Sequence, residues 1–173
     1  MAISAQDVKQ LKEMTNCGMM DCKRALEQTN GDFDAAVKYL REQGLAKAAK
    51  KATRIAAEGL VYAKIDKTKK VGVMVEVNSE TDFAAKSERF VEFVDMVAQT
   101  VIDNDVADVD ALLGVKMSGT NETVQDVLTE RIATISENIK IRRFARMEGD
   151  LFSYIHDGGG SIIGTLLKVE VAR

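Results

Sequence analysis

The chain of 173 residues has no proline, no tryptophan, one histidine and two cysteines. Average usage of about 5% would place roughly nine prolines in this length, and the sequence offers no physical reason for their absence. Cys17 and Cys22 are too few to form a disulfide framework in a chain this long. With His156 they make three soft metal ligands, one short of a closed structural zinc site, so free thiols and no bound metal are expected. No apolar run approaches the ~18–20 residues of a membrane span. Residues Met1 to Asp7 lack the charged and apolar regions of a signal peptide and the Arg-rich character of a transit peptide, so a cytoplasmic protein is expected. Neither GxxxxGK[ST] nor GxGxxG occurs, and the Asp157-Gly158-Gly159-Gly160 loop is no substitute, so self-contained nucleotide binding is not predicted and no cofactor is expected. A lone histidine with one adjacent acid, Asp157, is a thin basis for hydrolysis.

What is present is an ordinary folding composition, 46% apolar and 29% charged. The net charge of −3 is unevenly spread. Residues 1–54 hold ten Lys/Arg against seven Asp/Glu, and residues 55–173 hold fourteen against twenty. The asymmetry predicts two regions with different surfaces. Neither is basic enough to point to direct nucleic-acid binding.

Val8, Leu11 and Met14 lie at helical spacing, and after Asn16-Cys17-Gly18 the pattern resumes with Met19, Cys22, Ala25 and Leu26. Asn30-Gly31-Asp32 reads as a turn and an N-cap. Phe33, Ala36, Val37 and Leu40 then predict a third helix, closed by Gly44. Three helices within residues 1–44 make a bundle that is marginal alone and is expected to lean on or bind something. Residues 45–57 read as a basic helical linker, either a solvated connector or a contact for an acidic partner.

At Glu58-Gly59 the period changes from 3.6 to 2. Leu60 to Ile65 and Val71 to Val77, around the polar turn Asp66 to Lys70, predict a β-hairpin. Phe90, Phe93, Val94, Val97 and Val101 predict a helix from about Thr81 to Ile102. A short helix is expected near Val109 to Leu113, another over Val124 to Ile135, and a strand over Ile139 to Met147 with basic residues on one side. Glu148-Gly149 then opens an echo of the first hairpin, with Leu151 to His156 and Ser161 to Val171 as its strands. No helices follow it before Arg173, which leaves a homodimer or a trimmed fragment as alternatives, since uncovered edges and apolar surface invite pairing. The expected fold is α+β, with a first core subdomain over 58–148 and the first hairpin of a second over 149–173.

Thr81-Asp82-Phe83-Ala84 sits at the junction of strand and helix, where a rigid scaffold can aim what a surface turn carries. Spacing alone places Phe83 in the core, seven residues before Phe90. Of the adjacent Met19 and Met20, about 100° apart on a helix, one is expected inside and the other exposed.

Several of these stretches together resemble one family. Leu11 to Leu26 with Gly31-Asp32 and Ala35-Ala36, Thr81 to Lys86, Glu137-Asn138-Ile139 with Arg142-Arg143, and Tyr154-Ile155-His156 before the glycines are similar, in order, to translation elongation factor Ts. The resemblance implies a ubiquitin-associated-type N-terminal bundle and an exchange factor, not an enzyme, that binds the GTPase elongation factor Tu and speeds GDP release. It implies that Asp82 and Phe83, flanked by Thr81 and Ala84, intrude beside the partner's Mg²⁺ site. It implies partner contacts at Met19, Met20, Lys23, Lys51 and His156. The family often has Val where this chain has Ala84, which trims packing but leaves the wedge. Longer members continue with a helical hairpin and a C-terminal segment. The rival reading is a small protein- or nucleic-acid-binding module without exchange activity.

Overall fold

The computed structural model describes residues 3–15, 17–158 and 161–170. Asn16, Gly159, Gly160 and residues 171–173, which figured in the predicted turns and last strand, lie outside the described residues. Three helices come first: α1 (Ala5–Thr15), α2 (Met19–Gln28) and α3 (Phe33–Lys51). Leu11, Cys22, Ala25, Leu26 and Ala36 are fully buried between them. Asn30 and Gly31 turn the chain with positive φ of 52° and 85°, and Asp32 caps α3 by accepting from the Ala35 amide at 2.9 Å.

Gly44 does not close α3. The helix runs on to Lys51, so the 44/45 division falls within a continuous rod. Gly44 is buried where α3 crosses the later helix over Val124–Ile135, and a Cβ there would meet Thr129 Cγ2 at 3.7 Å and Ala133 Cβ at 3.9 Å. Helix-on-helix contact has overridden the glycine's weak propensity to stop a helix.

The α+β part begins with β1 (Glu58–Asp66) and β2 (Val71–Ser79). Helices α4 (Asp82–Ala85), α5 (Glu88–Asp103), α6 (Val109–Gly114) and α7 (Val124–Ile135) follow, then β3 (Lys140–Glu148). The three strands form an antiparallel sheet in the order β1-β2-β3. Val71, Val73, Val75 and Val77 of β2 alternate onto one face and are buried with Phe90, Phe93, Val94, Val97 and Val101 of α5 and with Val124, Val127 and Leu128 of α7. The predicted single helix over 81–102 is two. Thr81 and Ser87 each act as an N-cap, accepting from the amides of Ala84 and Phe90. The second cap ends α4 after one turn and restarts the helix in a new phase.

The second hairpin, β4 (Asp150–Gly158) and β5 (Ser161–Val169), forms its own two-stranded sheet. It lies on the face of the first sheet that the helices leave open. Two glycines allow the close approach. A Cβ on Gly72 would come within 2.7 Å of Leu151 Cδ1, and one on Gly164 within 2.6 Å of Met74 Sδ and 2.7 Å of Val61 Cγ1. The order of layers is helices, first sheet, second hairpin.

Candidate functional site: a braced aromatic turn

Phe83 is 84% exposed. The core position that spacing predicted for it is wrong, because the break at Ser87 takes α4 out of phase with α5. Beneath the ring, Ala84 and Ala85 are buried, so the short helix rests on two methyl groups and presents the phenyl outward.

The turn is held from several directions. The Glu137 carboxylate, in the connection between α7 and β3, accepts from the Glu80 amide at 3.0 Å and the Thr81 amide at 3.1 Å through Oε2. Its Oε1 accepts from the Thr81 hydroxyl at 2.6 Å. In return Glu80 Oε1 accepts from the Asn138 amide at 2.6 Å. The buried Asn138 side chain donates to the Arg54 carbonyl at 2.8 Å, and the Arg54 guanidinium lies 3.5 Å from Glu80. Ser79 Oγ donates to the Thr81 carbonyl at 3.0 Å. Ser87 Oγ donates to the Ala84 carbonyl at 2.7 Å. The bonds that end on the Glu137 and Glu80 carboxylates are charge-assisted, a class shorter and stronger than neutral ones.

Asp82 pairs with Lys86 at 2.9 Å, one turn along. The hydrogen bond from Lys86 holds the Asp82 carboxyl below its usual range. Lys86 is raised in turn, first by that bond and to a smaller extent by the charges of Asp157 and Glu58. The far end of β4, which carries Asp157 next to His156, therefore lies within electrostatic reach of the turn.

The other predicted contact residues are spread over three elements. Met19 and Met20, at the start of α2, are both exposed, as is Met14. The expectation that one of the pair would be buried fails because Cys22, Ala25 and Leu26 suffice to fill that side of the small bundle. Lys23 faces solvent and pairs with Glu27 at 3.8 Å. Lys51 is half-buried, and its ammonium donates to the Ile132 carbonyl of α7 at 3.2 Å. Burial, and then repulsion from Arg54 and Lys47, pushes its pKa down. His156 is exposed on β4, with its Nδ1 3.5 Å from the Tyr154 hydroxyl.

Much of the predicted basic face is engaged within the chain. Lys47 pairs with Asp21 at 2.8 Å. Arg142 and Arg143 both reach Glu76, at 3.5 and 2.6 Å. A register shift between Glu76 and Val77 accompanies this double pairing of consecutive residues. Cys17 and Cys22 are free thiols, and burial raises both pKa values. Among the described residues no cluster of His, Cys, Asp and Glu is arranged to hold a metal ion, and no helix is long and apolar enough to cross a membrane.

The residue that sequence reasoning left without a role is Glu137. The available signal was its place, between Ser136, a left-handed helix cap with φ of 66°, and the start of β3.

The family model described as "Elongation factor TS" matches residues 80–173, beginning at Glu80 of the braced turn. Elongation factor Ts of Clostridium perfringens (strain 13 / Type A) is 52% identical over 160 residues, which is 91% of this chain and 52% of that protein. Elongation factor Ts of Magnetococcus marinus is 49% identical over 173 residues, 98% of this chain and 56% of that one. That of Halothermothrix orenii is 47% identical over 173 residues, 98% of this chain and 57% of that one. The chain thus spans about half the length of the relatives it matches. With the match running through the braced turn, the strands behind it and the second hairpin, the chain belongs to the elongation factor Ts family.

Proposed function

We propose that the chain acts in translation elongation by binding the GTPase elongation factor Tu and promoting release of its GDP. It would do so as a partner, with no reaction centre of its own. The observation that carries this reading is a phenyl ring held 84% exposed on a turn fixed by several hydrogen bonds. Exposing a large apolar ring on a rigid support serves insertion into another surface, and aromatics dominate interface anchoring.

The mechanism is a coupling of two binding equilibria. If the factor binds empty Tu more tightly than GDP-bound Tu, GDP must bind the complex less tightly than free Tu by the same factor. Mg²⁺ in a nucleotide site demands near-ideal octahedral geometry. Phe83, entering beside it, would displace a partner loop enough to spoil that shell. Asp82 would compete for polar contacts and repel phosphate. Met19, Met20 and Lys23 on the bundle, and His156 on β4, are the further contacts we assign to the partner. Lys51 would have to release the Ile132 carbonyl to join them. Such a role would be exercised in the cytoplasm.

In stopped-flow measurements with fluorescent GDP on Tu, Phe83→Ala should slow the maximal release rate by at least about tenfold, a barrier change near 1.4 kcal/mol, with a smaller loss of affinity. Unchanged release with retained binding overturns the reading. The rival, a binding module without exchange activity, draws on the exposed Met14, Met19 and Met20. It requires that the unmodified protein bind a partner and accelerate no release.

A further inference from the structure

We propose that Glu137 is the positioning residue of the aromatic turn: its carboxylate fixes the direction in which Phe83 projects and thereby sets the rate of nucleotide release. The inference rests on the insertion of Phe83 proposed above.

Helix α4 is only four residues long, too short to hold its own geometry, since isolated helices below ~12 residues are marginal in water. Its ring touches little of the protein. Orientation must come from the residues at the entrance to the turn. There Glu137 accepts three hydrogen bonds, from two consecutive backbone amides and one hydroxyl. The Thr81 hydroxyl serves twice. It donates to Glu137 and accepts from the Ala84 amide at 3.2 Å. The carboxylate is thus linked through one oxygen to the first turn of the helix that carries Phe83.

The clasp is reciprocal. Glu80 sends its own carboxylate to the Asn138 amide, next to Glu137. Two side chains cross between two turns in opposite directions, bridging the end of β2 and the start of β3, whose register ends at Asn78 and Lys140. The sheet ladder has stopped there, and the two carboxylates continue it. Asn138 extends the clasp to the carbonyl of Arg54, at the exit from α3. Three chain segments, far apart in sequence, meet behind the turn.

A bare amide replacement is a sharp probe. In Glu137→Gln one carboxylate oxygen becomes an NH₂ that cannot accept from an N–H. The charge is lost, while the size of the side chain is kept. The test measures GDP release from Tu at saturating factor, the factor concentration giving half-maximal rate, and hydrogen exchange of the Glu80 and Thr81 amides. The proposal expects Glu137→Gln to lower the maximal rate by roughly tenfold, to leave the half-saturating concentration within about twofold, and to speed exchange at those two amides. Thr81→Val should behave likewise, and Thr81→Ser, which keeps the hydroxyl, should restore the rate. In a Phe83→Ala background Glu137→Gln should add nothing, because both act through the same ring.

A normal rate for Glu137→Gln, where Phe83→Ala is slow, overturns the positioning role alone. Independent, multiplying effects of the two substitutions also overturn it. Normal release by Phe83→Ala overturns the insertion reading and this one with it. Should Glu137→Gln fail to fold, the Thr81 pair decides by the same criteria.

Discussion

The two hairpins are built alike and buried differently. Each has two nine-residue strands; the first opens on Glu58-Gly59, and Glu148-Gly149 leads from β3 into the second. Both glycines adopt positive φ, 151° and 133°. At Gly59 a Cβ would strike the Val77 carbonyl oxygen at 2.2 Å, so only glycine fits. Yet the first hairpin is covered by α5 and α7 on one face and by the second hairpin on the other. The second hairpin is covered on one face only, and Phe152, Tyr154, Ile163 and Leu167 look outward from it. Alternation in a strand states that one face differs from the other. What covers that face is decided by segments elsewhere in the chain, and α5 and α7 are those that lie on the first hairpin.

The two hairpins differ most at their aromatic residues. Phe93→Ala, in the fully buried layer over the first hairpin, should cost about 3–5 kcal/mol in urea unfolding. Phe152→Ala, on the outer face of the second, should stay within about 0.5 kcal/mol. Equal losses would mean that the outer face is covered in solution.

A middle-sized effect is expected at the seam. Gly164→Val puts carbon where Met74 and Val61 already lie, and overpacking of this kind costs about 1–3 kcal/mol. Hydrogen exchange should quicken in β4 and β5 while β2 stays protected. Uniform loss across both sheets would show that the hairpins unfold as one unit.

The smallest effect is electrostatic and lies between the first hairpin and α5. Tyr62 donates to Asp95 at 2.8 Å, and Lys64 donates to both Asp95 oxygens at 2.7 and 2.9 Å. Burial, with the hydrogen bond and charge of Asp95, pushes Tyr62 up to about 12. The folded state then holds its proton longer than the unfolded chain, whose tyrosine pKa is about 10. This stabilisation is whole below about pH 10 and is lost as pH rises through about 12. Asp95 behaves in the opposite sense. Burial pushes it up, but the bonds from Lys64 and Tyr62 outweigh that and leave it lowered, so its contribution fades in acid, below about pH 3.9. Tyr62→Phe should flatten the alkaline limb of a stability-against-pH curve, and an unchanged limb would locate the titration elsewhere.

The strands and most helices were legible because burial imposes its period on the residues. Val71, Val73, Val75 and Val77 announce β2 without help, and Phe90, Phe93 and Val97 announce α5. Where reading failed, a short-range signal competed with a long-range one. Ser87 is a strong N-cap inside an apolar-periodic run, and the cap won. Gly44 is a helix stop by propensity, and contact with α7 won. The phase of Phe90 and Phe93 predicts Phe83 inward, and the cap at Ser87 resets that phase. The candidate turn itself was found from its position between strand and helix and from family resemblance. Its brace was not, because Glu137 lies 56 residues from Thr81 and nothing local marks a carboxylate as the acceptor for a distant amide.

The unbroken run of α3 past Gly44 has a mechanical result. Nineteen residues of helix make a strut about 28 Å long at 1.5 Å per residue, bolted to the core at Lys51. The strut does not stand free: Gly44 lies against Thr129 and Ala133 of α7, and Arg41 pairs with Glu122 at 2.6 Å, so the small bundle is braced along its length against the core. Any tilt of the bundle would have to break that seam, so the exposed methionines of α1 and α2 move with α7 and not independently of it.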